Sequence, residues 1–420
     1  MSSSPPSSAL TIAERIDRLA EVAVRTGLNL KEGQQLIITA PLDAVPLVRR
    51  ITEHAYRTGA SLVTTLYNDD ESTLARYRFA PDSAFDTAAT WLSHGMAAGF
   101  REGAARMAIT GGNPSLLSGQ NPERISRAGK ASSAAGRQAM EIITNFEVNW
   151  NIVAAATPAW AAQVFPDLPE DQAVERLWQA IFATSRILND DPVSEWVEHN
   201  ARLHRRADKL NGLNFAALHF SGPDTELTVG LADGHRWVGG SNEARNGIVC
   251  NPNIPTEEVF TTPHRLRVDG HVRSTKPLSW QGTMLDDIRV VFRDGQITEA
   301  RAGKGEDVLQ RMIGTDEGAP RLGEVALVPH SSPISQSGVL FHNTLFDENA
   351  ASHIALGQAY AECMFDAVGI GEQALNERGA NSSMIHVDWM IGSAETSVYG
   401  VNADNERIPL MIDGEWTDAA

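Results

Sequence analysis

The fold class read from the sequence is an α/β N-terminal domain built on a parallel sheet, followed by an α+β C-terminal domain of largely antiparallel strands. In the first half, QLIIT (Gln35 to Thr39) and SLVTTLY (Ser61 to Tyr67) read as buried strands on either side of a helical stretch. Strand, helix, strand at that spacing implies parallel pairing through a right-handed crossover. After Asn214 the texture changes to short alternating segments between turn residues, namely NFAALHF, TELTVGL, HRWVGG and DIRVVFRDGQI. Asp294-Gly295 between two apolar runs is a hairpin signal.

Each element has its own justification. Thr11 followed by Glu14 forms a capping box, and Ile12, Ile16, Leu19 and Ala23 then share one helical face, with Gly27 as the expected stop. Pro41 punctuates the first strand; the next helix starts near Asp43, holds Pro46 in its first turn and stops at Gly59. The pattern repeats with a helical region over 83–102, the strand RMAIT (Arg106 to Thr110), a helix from Pro122 to Ile143 and a strand at Asn151 to Ala155. Glu170 to Leu210 reads as a helical bridge. The expected division is a disordered Ser-Pro lead-in at 1–10, an N-terminal domain at 11–210 and a C-terminal domain at 211–420. Further helices are expected near Gly305 to Ile313 and over Ala351 to Val368, and GIGEQA (Gly369 to Ala374) reads as a helix end.

Composition narrows the function. Among 420 residues, 53 Asp and Glu face 35 Lys and Arg, a formal charge of −18, which argues against wrapping nucleic acid or an anionic membrane. The two cysteines, Cys250 and Cys363, form no CxxC pair, which excludes a thiolate zinc site and suits a reducing cytosol. MSSSPPSSAL has neither the basic segment nor the apolar core of a secretory signal, and the longest apolar run, Ile152 to Phe165, is broken by Pro158. A cytoplasmic protein is expected. Gly111-Gly112-Asn113 follows a strand, but no GxGxxG is there and no GxxxxGK[ST] occurs, so a nucleotide site is rejected. GxSxG and HExxH are also absent, which removes the serine-hydrolase elbow and the helix-borne single-zinc protease.

What remains is a set of acids and imidazoles in the second half. LFDENAASHIALGQAY (Leu345 to Tyr360) gathers Asp347, Glu348, His353 and Tyr360. If the chain is helical from about Asn349, His353 and Tyr360 lie seven apart on one face, with Gly357 between them leaving room for a substrate. The plainer alternative is a capped helix with a packed histidine. Glu257 and Glu258 stand in NPNIPTEEVFTTP, where flanking prolines make a stiff loop or strand edge. Glu324 in LGEVALVP adjoins an apolar run and needs a partner. His386-Val387-Asp388 is the sharpest pattern: in a strand, positions i and i+2 turn imidazole and carboxylate to the same side.

Two histidines and at least four carboxylates without cysteine suit Zn²⁺, Co²⁺ or Mn²⁺, and a count above four points to two ions sharing a carboxylate. Two such ions acidify a shared water, and a nearby phenol, Tyr360, could donate to a developing oxyanion.

Taken together and in this order, NPNIPTEEVFTTP, GEVALVP, LFDENAASHIALGQAY and HVDWMIG resemble the M29 metallo-aminopeptidases, the aminopeptidase T and AmpS type. The resemblance is close over the second half; the first half agrees in character without a motif as specific. It implies that Glu258, Glu324, His353, His386 and Asp388 are metal ligands, with Glu324 shared between two ions. Tyr360 matches the catalytic tyrosine, and Glu348 is a ligand or the general base. It also implies a homodimer that removes N-terminal residues from short peptides with broad preference, its site inside a large cavity. The alternative on the same scaffold is a mononuclear iron ring-cleaving dioxygenase of the dihydroxypyridine type, using His353, His386 and Asp388; Glu258 and Glu324 argue against it, since one iron does not need them.

Overall fold

The computed structural model describes residues 10–280, 283–367 and 369–420. Apart from Leu10, the expected lead-in lies outside the described residues. Four parallel strands form a first sheet in the order Leu62–Asn68, Gln35–Pro41, Ala105–Thr110, Trp150–Ala154. The chain leaves Gln35–Pro41 to one side and returns to the other. A crevice therefore opens at the carboxyl ends of Gln35–Pro41 and Ala105–Thr110, the place where open α/β sheets take their ligands.

Helices cover both faces of this sheet. Ile12–Val22 begins with the reciprocal Thr11 and Glu14 capping box and buries Ile16 and Leu19; Val45–Arg57 buries Leu47, Val48, Ile51 and Ala55. On the other face, Ala97, Phe100, Ile142 and Ile143 of helices Thr90–Arg101 and Pro122–Thr144 pack with Ile37 and Trp150. Gly27 does not stop the first helix. Wider π-type turns carry it through Ala23–Leu28 to Asn29, which ends it in the left-handed conformation at φ 48°.

The second half holds an eight-stranded sheet, all of its neighbours antiparallel, in the order Gln296–Arg301, Arg289–Arg293, Pro263–Arg273, Thr225–Leu231, Ala217–Gly222, Ser397–Val401, Arg407–Ile412, Glu415–Trp416. Asp294 and Gly295 make the expected hairpin turn, both at positive φ (48° and 75°). HRWVGG forms only isolated bridges at His235 and Val238 instead of a strand. GIGEQA opens a helix, Glu372–Glu377, where a helix end was expected.

A third sheet has four antiparallel strands in the order His386–Met390, His353–Gly357, Leu322–Leu327, Val259–Thr261. It overturns the helix expected over Ala351 to Val368 (Val368 itself lies outside the described residues). His353 to Gly357 is buried on both faces, so its residues after His353 are all apolar or small and show no period that separates strand from helix. The hydrogen bonds available from strands on both sides decide the matter. Gly357 is required by backbone geometry: its φ is +105°, and a Cβ there would meet the Ile385 carbonyl oxygen at 2.1 Å. It leaves no space for substrate.

Helix Pro192–Leu213 joins the two cores, with Trp196 in the first and Leu203, Ala207 and Leu210 in the second. Phe341 and Phe346 also pack into the first core, where Trp160 Nε1 donates to the Phe341 carbonyl at 2.5 Å. Thus a loop from late in the chain is anchored to the α/β layer. Among the described residues no helix is long and apolar enough to cross a membrane.

Candidate metal centre

Strand alternation builds the site. Val325, Ile354, Leu356, Val387 and Trp389 turn toward the second core, so Glu324, His353, Ala355, His386 and Asp388 face the other way. Register aligns Glu324, Ala355 and Asp388 in one row across three strands. The small Ala355 between two carboxylates leaves them room to converge. Glu258 is added from the residue just before the edge strand Val259–Thr261.

The result is two groups, Glu258–Glu324–His353 and Glu324–His386–Asp388, each able to offer three ligand atoms within 4.8 Å of one another. His353 Nε2 lies 3.1 Å from Glu258 Oε2 and 3.5 Å from Glu324 Oε1. His386 Nε2 lies 3.7 Å from Glu324 Oε2 and 3.3 Å from Asp388 Oδ1. Each Glu324 oxygen thus serves a different group.

The protonation pattern fits a cation. A carbonyl can only accept, so His353 Nδ1–H donates to Ala351 O at 3.1 Å and His386 Nδ1–H donates to Gln358 O at 2.7 Å. Both Nε2 atoms are then free to present lone pairs to the cluster. Glu258 Oε2, His353 Nε2 and Asp388 Oδ1 are buried and make no well-directed hydrogen bond despite their short separations. Buried lone pairs pointing at one another are costly, and a divalent cation among them resolves the cost. An N/O donor set without sulfur suits a hard or borderline ion.

Electrostatics agree. Burial pushes Glu324 up to about 6; the Asp388 charge adds to the rise, and the adjacent His353 and His386 oppose it. Burial favours the neutral form of both imidazoles, yet the carboxylates win. Glu258 and Glu324 hold His353 well above its ordinary value, and Asp388 raises His386 to about 9.

Of the other expected residues, Glu348 and Tyr360 border the same space. Glu348 is outside both three-residue groups, and burial followed by the Glu258 and Asp388 charges pushes its carboxyl well above the usual range. The helical argument relating Tyr360 to His353 fails, because Tyr360 follows a strand. Its ring instead lies 4.7 Å from that of His386, on the neighbouring strand. Burial and then Glu324 and Asp388 drive the phenol pKa well above its ordinary value, so it stays a donor.

Asp347 and Glu257 point elsewhere. Asp347 accepts the backbone N–H of Phe341 at 2.8 Å and of Asn343 at 2.9 Å, one on each oxygen. Glu257 is bound by both terminal nitrogens of Arg186, one of them 2.7 Å from Oε2, and its N–H donates to Asn349 Oδ1 at 2.7 Å. Adjacent acids in TEEV therefore divide: Glu257 anchors the loop and Glu258 meets the cluster. Sequence reading missed Arg186, which sits in a left-handed turn (φ 56°) after helix Glu170–Thr184, close in the chain to Asp190 and Asp191 yet paired with the distant Glu257. It also missed Glu362, a half-buried residue two past Tyr360 whose carboxyl is pushed up to about 7 by desolvation and then the Glu324 charge.

His199 supports the same loop, its Nε2 donating to the Thr256 carbonyl at 2.7 Å. Burial and then Arg186 lower its pKa from 6.5 to about 3. The unfolded chain therefore binds a proton that the folded chain refuses between these values. This contribution to stability is complete above pH 6.5 and lost as pH falls toward 3, at up to about 1.4 kcal/mol per pH unit. Replacing His199 with Gln should flatten the dependence of denaturation midpoint on pH across that window, as measured by urea titration at several pH values.

The cluster opens onto a cavity of about 910 Å³. Glu348, Tyr360, His386 and Asp388 form one wall, and Thr39, Asn68, Thr110 and Asn113, at or just past the carboxyl ends of the parallel strands, form another. The crevice predicted by sheet topology and the cluster built by the third sheet therefore share one space.

Comparison with known proteins agrees with this arrangement. The family model for thermophilic metalloprotease (M29) matches residues 12–416. Aminopeptidase T of Thermus thermophilus is 53% identical over 401 residues, covering 96% of this chain and 98% of the relative. Aminopeptidase AmpS of Bacillus subtilis is 40% identical, covering 97% and 99%. The solved structure of wild-type AmpT from Thermus thermophilus superposes with a TM-score of 0.92 at 51% identity, covering 97% of this chain and all of that one (100%). With its whole length matched in sequence and fold, the chain belongs to the M29 family of thermophilic metalloproteases.

Proposed function

We propose that this protein removes N-terminal residues from short peptides with two divalent cations held at Glu258, Glu324, His353, His386, Asp388 and Glu348. The chain is a metal-dependent aminopeptidase, as its family and its aminopeptidase relatives indicate. The observation that carries the finer reading is the pair of three-residue donor groups sharing Glu324 beside a cavity sized for a few residues of peptide. Zinc, cobalt and manganese all suit such donors. When bound, the cations supply Lewis acidity toward the scissile carbonyl and toward water.

The side chains do the rest. Tyr360, kept protonated by its surroundings, donates a hydrogen bond to the carbonyl oxygen as that oxygen gains charge. Glu348, outside both three-residue groups, serves either as a further ligand or as the base that takes a proton from the attacking water and returns it to the leaving amine. The buried third sheet keeps bulk water from the other side of the cluster. The same reading includes a homodimer, supported by the family resemblance, a cytoplasmic location, supported by the two unpaired cysteines, and domains at 11–210 and 211–420, supported by the two separate cores.

Hydrolysis of a leucyl tripeptide and of leucine anilide should vanish after chelation and return with Zn²⁺, Co²⁺ or Mn²⁺. Inactivity with every ion, despite two bound per chain, would sink the proposal. Gel filtration with light scattering tests the dimer.

A further inference from the structure

One imidazole in the cavity wall belongs to neither donor group. His342 lines the cavity with Glu348, Tyr360, His386 and Asp388. Its backbone is left-handed at φ 54°, a conformation uncommon for residues other than glycine, and here its neighbours hold it in place. Those neighbours are explicit. Buried Asp347 binds the N–H groups on either side, of Phe341 and Asn343, at 2.8 and 2.9 Å. Phe341 stacks on Phe346 at 4.4 Å between ring centres, and Trp160 holds its carbonyl. Asn343 Nδ2 donates to Thr110 Oγ1 at 2.9 Å, tying the turn to the end of a parallel-sheet strand. A turn clamped on both sides holds one left-handed residue, and that residue is at the cavity.

The chemistry there is selective. No lysine or arginine lines the cavity among the described residues, whereas Asp70, Glu348 and Asp388 do. Burial lowers the His342 pKa, and no charged or hydrogen-bonding neighbour contributes, so the ring is neutral at neutral pH and its N–H is available. An exopeptidase places the amino end of its substrate at the cluster, so the remaining residues occupy the cavity.

We infer that His342 binds substrate on the leaving-group side, its imidazole N–H donating to the carbonyl or terminal carboxylate of the residue after the scissile bond. This rests on the peptidase reading above. The neutral donor accepts both a longer peptide's carbonyl and a dipeptide's carboxylate, which fits broad use of short peptides.

The test compares leucyl-glycyl-glycine with leucine p-nitroanilide, which has the same amino end but no carbonyl or carboxylate beyond the scissile amide. Two variants suit the backbone: His342→Gly, since glycine adopts positive φ freely, and His342→Asn, since asparagine tolerates that region and keeps an N–H donor. His342→Gly should raise KM for the peptide by roughly 3- to 30-fold, the size of one lost hydrogen bond, with kcat and bound metal nearly unchanged. Its KM for the anilide should not move, and His342→Asn should recover part of the peptide affinity. An equal loss on both substrates, which would mean that the turn acts through the cluster, overturns the inference, as does an unchanged peptide KM. A wild-type enzyme idle on both substrates with every cation overturns the peptidase reading itself, a distinguishable failure.

Discussion

Glu324→Gln should abolish peptide hydrolysis and strip the protein of metal while leaving its fold intact. Glu324 is common to both donor groups, each oxygen facing a different histidine at 3.5 and 3.7 Å. Glutamine preserves volume and the interior strand Leu322–Leu327, but it replaces one lone-pair oxygen with an amide N–H donor and removes the charge that would balance the proposed cations. Losing a partner outside the coordination shell already costs about 10- to 100-fold in metal affinity, so loss of the shared ligand should exceed that. We expect kcat/KM to fall by at least about 1,000-fold, since in the proposed two-cation centre polarisation of the carbonyl and of water would depend on both ions. Metal analysis should find two ions per wild-type chain and close to none in the variant, with an unchanged far-ultraviolet circular dichroism spectrum. Wild-type hydrolysis by a fully loaded variant would remove Glu324 from the centre.

Arg186→Met should cause the largest loss of stability. Arg186 and Glu257 are both nearly enclosed, with side chains 10% and 5% exposed, and the pairing is two-pronged. Even with the guanidinium present, burial raises the Glu257 pKa. Removing Arg186 leaves a carboxylate in a low-dielectric interior, at a cost of about 3–5 kcal/mol. The sign of its pH dependence follows. Without Arg186 the folded pKa of Glu257 rises further above 4.5, so the folded form holds a proton that the unfolded form releases. The variant should therefore lose stability as pH rises from about 5 to 8. Urea titration should show a midpoint closer to wild type at pH 5 than at pH 8. The double variant Arg186→Met/Glu257→Gln should regain most of the loss, because no charge is then stranded. Equal destabilisation in single and double variants would show that packing, not charge, governs the pair. Since the next residue is Glu258, the single variant should also bind metal more weakly.

Several of these features are visible in the chain because they are local. The capping box at Thr11 and Glu14, the βαβ spacing around Gln35–Pro41 and Leu62–Asn68, and the Asp294-Gly295 turn involve residues within a few positions or one crossover of each other. His386 and Asp388 belong to this class too, since a two-residue period turns them to one side wherever the strand ends up. Motif order alone likewise carried the family, because NPNIPTEEVFTTP, GEVALVP, LFDENAASHIALGQAY and HVDWMIG occur in series.

Where partners are distant, local pattern fails. His353 to Gly357 has the composition of a buried segment of either kind, and it is a strand because Leu322–Leu327 and His386–Met390 hydrogen-bond on its two sides. Tyr360 meets the site through His386, not through a helical repeat from His353. Asp347 and Glu348 are neighbours in sequence, yet Asp347 closes a turn while Glu348 borders the cluster. Glu257 and Glu258 separate because Arg186, 71 residues earlier, captures only the first.

The sequence by itself determined the types of donor, the strand that carries HxD, the two classes of sheet and the family. The tertiary structure decided which carboxylate faces which partner and set the parallel sheet's carboxyl ends opposite the cluster. The reason is physical: side-chain direction along a strand follows from backbone period, whereas convergence of buried charges depends on long-range register and on whichever distant cation or N–H can offset their desolvation.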